Sequence, residues 1–156
     1  MAANPEVESF QRYLLSSLDR IVAMLDGLTA EQLNWCPPAP EANGVYVLAT
    51  HMLANVRDNI LTVLCEVRES ERDRDAEFAV TVESPATLET HWRELRAEVV
   101  AALNALPPGD LDRARSHRTR ENVNGCDILL ITARHAAEHL DHAEMTRDLT
   151  RAIGPG

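Results

Sequence analysis

Four long stretches of this chain repeat apolar residues every three or four positions, and chain-breaking or charged runs separate them. In the first, Val7, Phe10, Leu14, Leu18, Ile21 and Leu25 share one face behind Asn4 as N-cap and Pro5 in the first turn, and Gly27 stops the run. The second opens at Asn43-Gly44 and carries Val47, Leu48, Met52, Val56, Ile60, Val63, Leu64 and Val67; it is expected to reach about Glu69, inside the charged segment Arg68 to Glu77. The third starts at Ser84-Pro85 and lines up Leu88, Trp92, Leu95, Val99, Leu103 and Leu106 before Pro107-Pro108-Gly109. Asn124 caps the fourth, with Asp127 in its first turn and Ile128, Leu129, Ile131 and Leu140 as its apolar content. Each stripe must be buried against another, so the pattern predicts an all-α four-helix bundle forming one domain over residues 1–156.

Long connections cross the ends of that bundle. Thr29 and Gln32 have capping-box spacing and predict a short helical turn before Pro37, Pro38 and Pro40 force an irregular path. Phe78, Val80 and Val82 alternate with Ala79, Thr81 and Glu83, which reads as a brief extended piece. Asp110 to Asn124 reads as a polar loop.

Charge excludes one class of partner. The net charge is −10, against the clustered cations that phosphate-backbone binding requires. The densest basic run, Arg113 to Arg120, is flanked by Asp110, Asp112 and Glu121 and reads as a solvated loop in preference to an anion site. No stretch reaches the roughly 18 apolar residues of a membrane helix, and the N-terminus lacks a basic segment followed by an apolar one, so a cytoplasmic protein is expected. Cys36, Cys65 and Cys126 are odd in number and widely spaced, which predicts free, buried or semi-buried thiols.

The chemistry concentrates on the fourth helix. His135, His139 and His142 stand at offsets of zero, four and seven, so their imidazoles point within about 60° of one another. Residues four apart can bring two imidazoles to one ion at about 2.0–2.1 Å each. His135 and His142 lie about 10.5 Å apart along the axis, so His139 belongs to every pairing, with His135 preferred over His142. A third ligand must come from elsewhere. His117 sits in the Arg-rich loop and reads as solvated, and His91 falls at the boundary of the third helix. His51 lies one turn after Val47 and Leu48 and should face the interior, opposite the other two. Three histidines leave a coordination position open, as catalytic zinc sites do, whereas structural sites close with four ligands. Asn55, Asp58, Thr62, Glu138 and Asp141 are candidates to orient the ligand imidazoles.

The segment Leu48-Ala-Thr-His51-Met-Leu-Ala, the preceding Trp35-Cys-Pro-Pro-Ala-Pro-Glu-Ala-Asn43 loop and the late Glu138-His-Leu-Asp-His-Ala-Glu-Met-Thr-Arg-Asp-Leu149 helix together resemble the DinB/YfiT-like superfamily, over nearly the whole chain. The resemblance implies a four-helix bundle of unusual helix order and a divalent metal, zinc or alternatively nickel, whose three ligands fall by position on His51, His135 and His139. It further implies a thiol-dependent S-transferase, with a low-molecular-weight thiol such as mycothiol or bacillithiol as cosubstrate and a small electrophile as substrate. A homodimer is expected by the same resemblance, with Trp92 or Phe78 at the contact. Two other readings stand beside it: a hydrolase using metal-activated water with Glu138 or Asp58 as base, and a non-catalytic metal- or ligand-binding bundle of the stress response.

Overall fold

The computed structural model describes residues 4–155, and they are mostly helical. The helices are α1 (Pro5–Ala23), α2 (Ala30–Asn34), α3 (Val45–Val56), α4 (Arg74–Ala79), α5 (Ala86–Asn104) and α6 (Gly125–Ile153). A two-stranded antiparallel sheet, β1 (Ala114–His117) and β2 (Arg120–Asn124), precedes α6. Among the described residues no helix is long and apolar enough to cross a membrane.

The long helices begin where their caps dictate. The Asn4 side chain accepts from the Glu6 amide 2.9 Å away, with Pro5 in the first turn. Asn124 and Asp127 form a reciprocal capping box at the head of α6, and Thr29 and Gln32 form another at α2. α1 lays Val7, Leu14, Leu15, Leu18, Ile21 and Val22 mainly against α6, and each buried aliphatic side chain contributes about 1.5–3 kcal/mol. α6 also packs on α3, and α5 closes against α1 and the end of the α3 rod.

α3 starts at Gly44 for a steric reason. A Cβ there would stand 2.6 Å from the Trp35 carbonyl oxygen, so only glycine lets the proline-rich loop lie this close to the helix head. That loop is held further by the Cys36 thiol, which contacts the Ala42 carbonyl at 3.0 Å.

Three expectations need correction. The second helix does not continue regularly to Glu69: from Arg57 to Leu64 it widens into a π-helical segment, with the Cys65 amide donating to the Ile60 carbonyl five residues back at 2.9 Å. The wider turn lets Asp58, Asn59, Ile60 and Leu61 all be buried in succession, and the chain leaves through Glu66 in a left-handed conformation (φ 55°). The segment around Phe78 is not extended before Val80, because Asp73 accepts from the Ala76 amide at 3.0 Å and nucleates α4. The polar loop is instead a β-hairpin, and Arg115 on it is buried and pairs with Asp110. The remaining positions also sort themselves. Trp92 is buried with its indole nitrogen donating to Asp19 at 2.9 Å, and Phe78 is half-buried and packs on His51. All three cysteines are free; Cys65 and Cys126 are half-buried but Cys36 is exposed.

Candidate metal centre

His51 hangs from the middle of α3 and points at α6, where His135 and His139 stand one turn apart. The three offer ligand nitrogens that all lie within 4.8 Å of one another. The His51 and His135 Nε2 atoms face each other at 3.4 Å, and the His135 and His139 rings meet edge-on with centroids 4.4 Å apart. Two nitrogens bound tetrahedrally at 2.0–2.1 Å are separated by about 3.4 Å, so this spacing suits a shared divalent cation. His139 Nδ1 is buried with no hydrogen-bond partner, an orphan the residues around it leave unsatisfied.

One interaction fixes the His51 ring. Its Nδ1 lies 2.9 Å from Glu77 Oε2; a carboxylate only accepts, so Nδ1 carries the hydrogen and Nε2 keeps its lone pair for the centre. Glu77 is in turn gripped by Arg72, whose Nε and Nη2 donate to its two oxygens at 2.6 and 3.0 Å. Burial alone would raise the Glu77 carboxyl, but the hydrogen bonds from Arg72 and His51 outweigh it and hold the group below its usual range. Phe78 covers the other side of the His51 ring at 4.9 Å between centroids.

All three imidazoles are pushed towards the neutral, metal-binding form. Burial lowers His51 despite the Glu77 bond, burial and then neighbouring His51 lower His135, and burial followed by His135 and His51 pushes His139 down to about 3. His142 is exposed on the next turn, its ring centroid 5.7 Å from that of His139, and stays outside the group.

The other candidates fall into place around this. Glu138 is exposed, pairs with Arg134 at 3.1 Å and stands 3.9 Å from His135 Nδ1. Asp58 is buried but bonds Ser70 at 2.6 Å and Arg118 at 3.2 Å, away from the imidazoles. Asn55 accepts from Asn59, Thr62 Oγ1 is buried without a partner, and Asp141 is exposed. His91 is exposed, while His117 is half-buried instead of solvated and lines the cavity over the centre. Glu77 and Arg72 were hidden in the sequence, because they lie in the charged run that reads as the solvated end of a helix. The Asp73 cap three residues before Ala76 was the signal that this run folds back.

Cavities open on two sides of His139. One, of about 400 Å³, is lined by His51, His135 and His139 together with Arg72, Arg74 and the hairpin tip. The other, of about 420 Å³, is walled by Pro37, Pro40, Leu48, Met145 and Leu149 and reaches His139 and His142. A larger cavity of about 530 Å³ lies behind Arg72 and Glu77, but mixed charges line it and none of the three histidines reaches it.

Residues 13–143 match the model of the DinB superfamily. The chain belongs to that superfamily. No curated protein and no solved structure matches it. A DinB-superfamily chain with three converging imidazoles has the donor set of a metal-binding protein.

Proposed function

We propose that this DinB-superfamily chain is a four-helix-bundle enzyme in which His51, His135 and His139 hold one divalent cation, zinc first and nickel as the alternative, for transfer of a low-molecular-weight thiol to a small electrophile. The observation that carries the reading is the convergence of three neutral imidazoles from two helices beside open cavities, with no fourth protein ligand among the described residues. Three ligands and an accessible face are the arrangement of catalytic centres. Bound there, a divalent cation supplies Lewis acidity that lowers the pKa of a thiol.

The chain's own residues supply the rest. Glu77 holds the His51 tautomer and ring plane, and Arg72 keeps Glu77 ionised. Phe78 shields the His51 ring from water. The two cavities flanking His139 give separate approaches for two reactants, a polar one past the arginines and an apolar one past Leu48, Met145 and Leu149. That division favours a two-substrate transfer over hydrolysis, which needs only water beside one substrate.

The test is metal analysis of the purified protein followed by a thiol-depletion screen, with mycothiol- and bacillithiol-type thiols against a panel of electrophiles. About one metal per chain and catalytic thiol consumption are expected. Stoichiometric binding without turnover would replace the enzyme with a non-catalytic metal- or ligand-binding protein, and a metal-free His139→Ala variant that consumes thiol as fast as the parent would remove the centre from the chemistry.

A further inference from the structure

The chain carries 25 acidic residues against 15 arginines, yet the cavity over the three histidines is lined by Arg72, Arg74, Arg118, Arg120 and Arg134 and by no Asp or Glu. Such a reversal of sign is local and must be read residue by residue. Arg72 is neutralised by Glu77, Arg118 by Asp58 at 3.2 Å, and Arg134 by Glu138 at 3.1 Å. Arg74 and Arg120 have no carboxylate partner among the described residues; Arg74 only lies over the Phe78 ring, 5.5 Å from its centroid. They come from different elements, Arg74 from the first turn of α4 and Arg120 from the start of β2. Both side chains belong to exposed residues, so neither guanidinium is needed to satisfy the core. Amide groups of Asn43 and Asn55 line the same space and add donors, whereas the Asn59 amide is spent on Asn55 and Thr132.

We propose that this cavity binds a small dianionic ligand, a dicarboxylate or an equivalent pair of acidic groups, held by Arg74 and Arg120 in the space they line together with the three-histidine centre. The guanidinium fork matches carboxylate geometry, and two unpaired forks facing one cavity select a ligand carrying two negative charges over a neutral one of the same size. A volume of about 400 Å³ admits a metabolite and excludes a polymer. This rests on the thiol-transfer reading only in placing the ligand beside the metal: the acidic groups belong either to the thiol or to its electrophilic partner.

The experiment uses the full chain loaded with cobalt(II). Calorimetry with succinate and with its neutral diamide should show succinate binding at least about ten-fold tighter at low salt, with the preference shrinking as salt rises from about 20 to about 200 mM. Arg74→Gln/Arg120→Gln should lose that preference while keeping its cobalt content and helicity. Equal affinity for succinate and the diamide, or a double variant that keeps the full preference, overturns the proposal. Mercaptosuccinate and uncharged monothioglycerol separate this from the thiol reading through the thiolate-to-cobalt absorption band. A band from mercaptosuccinate at concentrations where monothioglycerol gives none supports both. Succinate binding without a band from either thiol keeps the anion pocket and removes thiol transfer. Bands of equal midpoint from the two thiols, with no succinate binding, overturn the anion pocket and leave thiol transfer standing.

Discussion

Glu77 Oε2 accepts a hydrogen bond from His51 Nδ1 at 2.9 Å, joining a helix of six residues to the one candidate ligand that is fully enclosed. The carboxylate and its Arg72 partner are both almost completely buried, at 6% and 3% side-chain exposure. Glu77→Gln keeps the shape but removes the charge. The expected result is a roughly 10–100-fold loss of metal affinity from a less basic and less well oriented His51. Removing one member of a buried ion pair also destabilises by about 3–5 kcal/mol, because Arg72 is left uncompensated. Competitive chelator titration and urea denaturation measure the two effects; unchanged values for both would show that Glu77 does not govern His51.

His139 and His142 give opposite expectations although their rings are neighbours. His139→Ala should abolish stoichiometric metal, since its nitrogen lies within the 4.8 Å group. His142→Ala should retain it, because that residue is exposed and outside the three-histidine group. Elemental analysis after gel filtration decides, and a loss in His142→Ala equal to that in His135→Ala would mean that the wrong pair on α6 has been chosen.

Acid should weaken the metal-free fold over a defined window. His139 is pushed from 6.5 down to about 3 by burial and by its neighbouring histidines, so between these values the unfolded chain binds a proton that the folded chain refuses. Stability therefore rises with pH across that window and is lost as pH falls from about 6.5 towards about 3. Glu77 acts in the same direction, since its lowered folded pKa means its stabilisation disappears as it becomes protonated. Chelator-treated protein should show a lower urea midpoint at pH 5 than at pH 7. A midpoint that is flat or rises on acidification would contradict the neutral-imidazole assignment.

Gly44→Ala should lower stability by about 1–3 kcal/mol through overpacking, because the new Cβ meets the Trp35 carbonyl oxygen at 2.6 Å and neither backbone can yield easily. Thermal melts followed by circular dichroism check this, and a variant melting with the parent would show that the proline-rich loop is free to retreat.

Much of this architecture is legible in the sequence where one residue type does one job. Asn4, Thr29 and Asn124 marked helix starts because a side chain there replaces a missing backbone partner. His51, His135 and His139 were legible because helical spacing alone decides which side chains share a face. The π-helical segment was not, since Arg57 to Leu64 contains ordinary helix-compatible residues and the extra residue per turn is a response to packing. The β-hairpin was hidden by its composition: Ala114–His117 and Arg120–Asn124 have almost no apolar alternation, and only Val123 and the Arg115 stem turn inward. Glu77 was missed for the related reason that a buried carboxylate looks like a solvated one until its arginine is seen folded over it.

The brevity of α4 has a kinetic consequence. Six residues are far too few to stay helical alone in water, so α4, capped locally by Asp73, persists only while docked on α3 by the Arg72–Glu77–His51 chain of contacts. Undocking it is a local event that leaves the large helices in place, and the same event releases the His51 ring. Deuterium uptake at the α4 amides and the exchange of whatever the three histidines hold should then share one opening rate, set by a short surface segment instead of by global unfolding.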